Sequence, residues 1–337
     1  MADASLPPFI QALLKPEAYP HPAPEISLVQ THISYVLLAG SFVYKIKKPV
    51  DFGFLNFTTL EKRKHFCEQE LLLNRRLCPS LYLGLVPITL QDAAFSLDGP
   101  GTPVEYAVKM ARMPEERMMA KVIDRGELSK ETLDRIIAIL VPFYAKAEST
   151  PAIAAFGTAQ AVSVNVLENF DQTQGFIGCP ALSREQFEAI SGYARAFLST
   201  EELFAERIKA GRVRDCHGDL YSANICLANG IYIYDCIEFN ERFRYCDVAS
   251  DVAFLAMDLD FHDLSDLSDY FIEQFCQAAE DHTLLPMLNF YKCYRAFVRG
   301  KIGLFTAHAP EVDPATAENC LALAKKYFTL AQRYAAS

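Results

Sequence analysis

The residues best suited to chemistry lie in Cys216-His217-Gly218-Asp219-Leu220-Tyr221-Ser222-Ala223-Asn224 and, past Ile231-Tyr232-Ile233-Tyr234, at Asp235. An Asp, an Asn five residues later and a second Asp at a strand end supply what phosphoryl transfer from ATP requires. Asp219 can orient or deprotonate an acceptor hydroxyl, while Asn224 and Asp235 can hold Mg²⁺ against the phosphates. Between them, Ile225-Cys226-Leu227 and Ile231-Tyr232-Ile233 flank Asn229-Gly230, a hairpin signal. A tight hairpin would carry Asn224 at its entry and Asp235 at its exit, returning both to one end.

Such chemistry also needs a cation for the α/β-phosphates, held by a carboxylate from a nearby helix. Lys45 and Lys47 stand on one strand and share a face, because side chains alternate with period two; Lys45 is the preferred phosphate lysine. Glu68 and Glu70 lie on the following helix, and Glu70 is the better partner, since it leads directly into Leu71-Leu72-Leu73. No GxxxxGKS/T motif occurs, so the chain is not a P-loop enzyme. Backbone amides around Ala39-Gly40-Ser41 remain as a phosphate cover. His217 reads as a loop histidine making structural hydrogen bonds, and Gly218 permits a conformation other residues resist. Glu238, Asp247 and Asp251 form a second acidic set. The last two are four apart on one face of a helix start, placed to cap amides and brace the Asp219 loop, with acceptor contact as the alternative. Arg242 and Arg244 are candidates for an anionic substrate or a structural role.

The elements needed to position these groups follow from pattern. Residues 1–25 are Pro-rich, with a short helix from about Pro8 to Leu14 and then an extended arm. Thr31 to Leu38 and Phe42 to Lys47 read as a hairpin, Thr59 to Leu77 as a helix capped by Thr58 or Thr59, and Gly84 to Leu90 and Val104 to Met110 as further strands. After Pro114 the pattern is helical, with Ser129 capping a helix to about Glu148 and Arg184 to Lys209 forming one or two more. From Tyr245 onwards it is helical again, most clearly over Leu284 to Phe305 and Ala315 to Tyr334. A strand-rich front and a helical back predict a two-lobed α+β protein: an extension over 1–25, a nucleotide-binding lobe over 26–113, and a helical lobe over 114–337 with the catalytic loop and acceptor site. Arg112-Met113-Pro114 is the natural hinge.

The 337 residues carry a net charge of -10, which argues against nucleic acid as a partner, since that needs a basic surface. The ten cysteines show no CxxC pair or zinc spacing and read as reduced, packed thiols of a cytoplasmic protein. Prolines at 7, 8, 16 and 20 interrupt any secretory signal, and no apolar run approaches the roughly 20 residues of a membrane span.

The runs His217-Gly218-Asp219-Leu220 through Asn224, Tyr234-Asp235-Cys236-Ile237-Glu238 and Asp247-Val248-Ala249-Ser250-Asp251-Val252-Ala253 resemble the aminoglycoside phosphotransferase/choline kinase family, which has a protein-kinase-like fold. The resemblance covers roughly residues 26 to 305. It implies ATP and Mg²⁺ as cofactors, Asp219 as catalytic aspartate, Asn224 and Asp235 as metal ligands, Asp251 as loop brace, and Lys45 with Glu70 as the nucleotide-lobe ion pair. It also makes Met110 to Met113, with Arg112 between them, the linker where adenine docks. A closer likeness, carried by Tyr44-Lys45-Ile46-Lys47-Lys48-Pro49 and Asp235-Cys236-Ile237-Glu238-Phe239-Asn240-Glu241-Arg242, is to an uncharacterised bacterial subgroup often fused to a P-loop ATPase-like domain. The expected activity is phosphorylation of a small-molecule hydroxyl. A protein or RNA acceptor and a nucleotide-binding pseudoenzyme are the alternatives.

Overall fold

The computed structural model describes residues 6–310 and 312–336. After α1 (Pro8–Leu13), strands β1 (Ile26–Gln30), β2 (Ser34–Ala39), β3 (Phe42–Lys47), β4 (Tyr82–Gln91), β5 (Ala94–Leu97) and β6 (Thr102–Ala111) form one antiparallel sheet in the order β1-β2-β3-β6-β4-β5. The strand expected over Thr31 to Leu38 begins only at Ser34, and a further strand, β1, precedes that range at Ile26–Gln30. The Thr31 hydroxyl accepts from the Ser34 amide at 2.9 Å, a local side-chain bond that competes with the ladder and turns the chain. What lies on either side becomes β1 and β2.

Both faces of this sheet are covered. On one, Tyr44 and Ile46 of β3 pack with Leu37, Ile88 and Leu97 against Leu6, Ile10, Leu13, Tyr19 and Ala23 of the N-terminal arm. The arm is therefore core rather than an appendage. The other face meets α2 (Leu60–Asn74), whose N-cap Thr59 accepts from the Lys62 amide at 3.3 Å. Cys67 and Leu71 pack there on Tyr82, Val108 and Met110. Alternation along β3 thus turns Lys45 and Lys47 toward α2. The buried stripe of α2 runs through Arg63, Cys67, Glu70, Leu71 and Asn74, at helical three-and-four spacing, and three of those five residues are polar.

Past Met118 come α3 (Met119–Asp124), α4 (Lys130–Lys146), α5 (Pro151–Ala154), α6 (Ala159–Thr173), α7 (Arg184–Leu198), α8 (Glu201–Lys209) and β7 (Val213–Asp215). The Asp219 loop then leads into a hairpin of β8 (Ile225–Leu227) and β9 (Ile231–Ile233). Its connection is the three residues Ala228-Asn229-Gly230, and neither Asn229 nor Gly230 has positive φ. It is not the two-residue turn that Asn-Gly usually makes. The chain ends with α9 (Glu241–Arg244), β10 (Tyr245–Asp247) paired with β7, α10 (Val248–Phe261), α11 (Ser265–Ala278), α12 (Leu285–Ala307) and α13 (Pro314–Ala335).

Contacts divide the chain into two units. The first takes residues up to Met118 together with Ile225–Glu241, and the second takes Met119–Asn224 and everything from Arg242 onward. In the second unit all 14 residues of α10 are buried, so each of its carboxylates needs a partner. Asp251 accepts from the amides of His217 and Gly218, Asp258 from that of Ser222, and Asp260 pairs with Lys292 at 2.9 Å. Seven of the ten cysteines are buried and all are free thiols, which fits packing rather than cross-linking. Among the described residues no single helix is long and apolar enough to cross a membrane.

Candidate active site

In the first unit, Glu70 is the centre of a buried ion cluster. Its Oε1 lies 2.9 Å from Lys45 Nζ and its Oε2 lies 2.8 Å from Lys47 Nζ. Lys45 continues to Asp235 at 2.5 Å, and Lys47 to Glu238. Residues 190 positions apart are thereby joined. The Lys47 side chain is 1% exposed against 16% for Lys45, so Lys45 is the more accessible of the two. Burial alone would raise the Glu70 carboxyl, but the two lysines hold it down at about 2. Burial would lower the Lys45 ammonium, and Asp235, Glu70 and Glu238 more than reverse this, keeping it well above the ordinary lysine range. Glu238 is pushed up, by burial first and by the neighbouring Glu70 charge, against the pull of Lys47.

Asp235 adopts φ +63°, a left-handed conformation that Asp tolerates better than most residues but that still costs energy. The surroundings enforce it. The Tyr82 hydroxyl accepts from the Asp235 amide at 3.2 Å, and Asn74 Oδ1 accepts from the Cys236 amide at 2.8 Å. Asn74 in turn donates to the Glu70 carbonyl at 2.8 Å. One turn of α2 therefore sets both the ion cluster and the backbone that presents Asp235, whose side chain remains 41% exposed.

The first unit also has an open cavity of about 570 Å³, lined by Leu81, Ala111, Arg112, Met113, Pro114 and Tyr232 among others. The end of β6 and the β8–β9 turn form its walls. Of the three linker residues singled out from the sequence, Arg112 and Met113 face this space. Met110 does not line it; β-alternation turns its side chain into the core beneath, where it is 7% exposed.

In the second unit, the loop from His217 to Asn224 is clamped from below. Asp251 accepts from the His217 amide at 2.7 Å and the Gly218 amide at 2.9 Å, with Tyr144 donating to it at 3.2 Å. Arg295 donates to the Gly218 carbonyl at 2.9 Å and to Ser250 Oγ at 3.0 Å. Gly218 takes φ +88°, which glycine alone adopts without strain. His217 is fully buried and its Nδ1 accepts from the Asp219 amide at 3.2 Å. Asn224 Nδ2 donates to both the carbonyl and the Oδ2 of Asp219 at 2.9 Å.

The remaining candidates turn inward. Asp247 caps α10 through the Ala249 amide at 2.9 Å and receives Arg207 in two bonds of 2.8 and 2.6 Å. Glu238 is buried against Lys47. Arg242 pairs with Glu168 at 2.5 Å and Arg244 with Asp215 at 2.7 Å. Sequence reasoning missed Asn74, Tyr82, Tyr144, Arg207 and Arg295. They are ordinary helix and strand residues whose role appears only once distant segments meet.

No family model matches this chain. An uncharacterised protein of Mycobacterium tuberculosis is 34% identical over 281 residues, which is 83% of this chain and 55% of the relative. An uncharacterised protein of Mycobacterium bovis matches to the same extent. The chain thus spans about half the length of the curated relatives it matches. Among solved structures, a choline/ethanolamine kinase family protein from Mesorhizobium loti aligns over 97% of both chains with a TM-score of 0.51 and 12% identity. With its antiparallel sheet, single sheet-packed helix α2 and largely helical remainder, the chain has the α+β, protein-kinase-like fold of that structure.

Proposed function

We propose that the chain is a Mg²⁺-ATP-dependent phosphotransferase that moves the γ-phosphate to a hydroxyl of a small molecule. The observation that carries this reading is Lys45 bonded at once to Glu70 and Asp235. This is the arrangement a phosphate-binding lysine requires, assembled from residues whose spacing in sequence is unrelated. Lys45 would neutralise the α/β-phosphates, Glu70 would hold it in place, and the cavity beside Arg112 and Met113 would take the base. The name of the Mesorhizobium loti neighbour agrees with a small hydroxyl-bearing acceptor, and the net charge of -10 disfavours RNA.

The donor set suits Mg²⁺, which prefers oxygen ligands and commonly takes one or two from protein while keeping phosphates and waters. Asn224 commits its Nδ2 to Asp219 and leaves Oδ1 for a cation; Asp235 offers an exposed carboxylate. When bound, the ion would offset charge on the phosphates. Asp219 would align the acceptor hydroxyl. The acceptor hydroxyl oxygen would bond to the γ-phosphorus as the bond to the β–γ bridging oxygen breaks, ADP would depart, and the hydroxyl proton would pass to the Asp219 carboxylate. A panel of small hydroxyl compounds with radiolabelled ATP tests this. Asp219→Ala should retain Mg-ATP binding and lose transfer by at least about 100-fold, the scale of a positioned acid/base group. Undiminished transfer by that variant would refute the assignment.

A further inference from the structure

Among the described residues no carboxylate forms a close ion pair with Arg299, on α12, although the Asp219 charge acts on it from further off. Its guanidinium carbon sits 4.8 Å from the Tyr221 ring centroid and 5.7 Å from that of Tyr327, and its Nε is buried without a hydrogen-bond partner. Other buried arginines of the unit are neutralised. Arg207 has Asp247 and Asp281, Arg244 has Asp215, and Arg295 has Asp251 at 3.8 Å. Two tyrosine faces attract a cation, and the more distant Asp219 adds to this, but neither is the close ion pair that the other buried arginines have and that a largely buried charge favours.

Its location is specific. Tyr221 stands two residues beyond Asp219 on the same loop and stacks on Phe254 of α10 at 5.2 Å. Tyr327 is brought in by close helix packing: a Cβ at Gly300 would fall 2.7 Å from the Phe328 ring, and one at Gly303 would lie 3.0 Å from the Cys320 carbonyl oxygen. Two glycines on α12 thus let α13 approach closely enough to close the far side of the guanidinium. The planar fork of arginine is matched to carboxylate and phosphate oxygens.

We propose that Arg299, framed by Tyr221 and Tyr327, is the oxyanion-binding group of the acceptor subsite, so that the acceptor carries a phosphate or carboxylate besides its hydroxyl. The acceptor class is then sugar phosphates or hydroxy acids rather than cationic amino alcohols. This rests on the phosphotransferase reading, because only that reading makes the Asp219 loop the place where an acceptor binds.

Calorimetric titration of the full chain with inorganic phosphate and, separately, with acetate tests it, using the wild type, R299M and K45M. The expected result is saturable binding of one or both anions that weakens about tenfold or more in R299M, as for loss of a charge-assisted hydrogen bond, and persists in K45M. Which anion binds distinguishes the two acceptor classes. If R299M does not fold, R299Q, which keeps a polar stem, serves in its place with the same expectation. Binding lost in K45M but kept in R299M or R299Q overturns the proposal, as does absence of binding to the wild type. So does transfer of phosphate from ATP to ethanolamine in preference to anionic hydroxyl compounds. Arg299-dependent anion binding without any transfer from ATP would remove the phosphotransferase reading and leave the anion site standing.

Discussion

Lys45 and Lys47 divide labour by depth, although they share Glu70. Lys47 lies between Glu70 and Glu238, so Lys47→Met leaves buried Glu238 without its ion pair and Glu70 with Lys45 alone, and should destabilise the protein by about 3–5 kcal/mol, read as a fall in the chemical-denaturation midpoint. Lys45→Met should instead weaken Mg-ATP binding, measured by titration, with a smaller change in midpoint. Glu70 adds a pH term. With its folded value near 2 instead of 4.5, its contribution is complete above about pH 4.5 and disappears as pH falls through about 2, amounting to about 3 kcal/mol. Glu238, whose value is raised, works in the opposite sense. Stability measured at pH 7 and at pH 3 should therefore fall less in Glu70→Gln than in the wild type, and an equal fall would contradict the cluster. The pairing of Lys45 with Glu70 and the closeness of Asn224 to Asp219 were legible in the sequence, because the strand, helix and loop that carry them have clear local patterns. Asn74 and Tyr82 were not. Their value lies in reaching the Asp235 and Cys236 amides, 162 and 153 positions away respectively for Cys236 and Asp235, and nothing local marks them.

At the level of elements, periodicity located α2, α4, α12 and α13 to within a few residues, because caps such as Thr59 and Ser129 bond as their types suggest. It failed where side chains compete with the ladder, as at Thr31, and where a four-residue strand such as β5 has little pattern to show. α6 was missed too; its buried face mixes Ala159, Val162 and Val166 with Asn169 and Thr173, which blurs an apolar stripe. Two glycines make a paired test of helix packing. Gly300→Val meets Phe328 and should cost about 1–3 kcal/mol of stability through overpacking. Gly192→Ala, where a Cβ meets nothing within 4 Å, should gain about 0.5–1 kcal/mol from helix propensity. Urea denaturation of both variants checks the opposite signs.

For the whole molecule, the first unit is discontinuous in sequence, needing both the residues up to Met118 and Ile225–Glu241. A fragment ending at Met118 would keep Lys45, Lys47 and Glu70 but lack Asp235 and Glu238, leaving the buried lysines with one carboxylate between them. Such a fragment should show no cooperative thermal transition by circular dichroism. A sharp transition would mean that the segment 225–241 is dispensable to it. Composition and charge could not have revealed this interleaving, since it arises from where the β8–β9 hairpin docks: Met118 bridges Cys226, and Arg117 Nε donates to the Leu227 carbonyl at 2.7 Å.

The left-handed backbone at Asp235 also bears on how this lineage can change. Glycine would relax that conformation at no steric cost but would take from Lys45 its partner at 2.5 Å, so a chain released from the need for a carboxylate there would reach glycine under selection for stability only once Lys45 had also been replaced. On the proposed function, the residues found at these two positions in a relative are therefore a cheap diagnostic: aspartate with lysine would mark a copy kept for the chemistry, and glycine without the lysine one that has kept the fold alone.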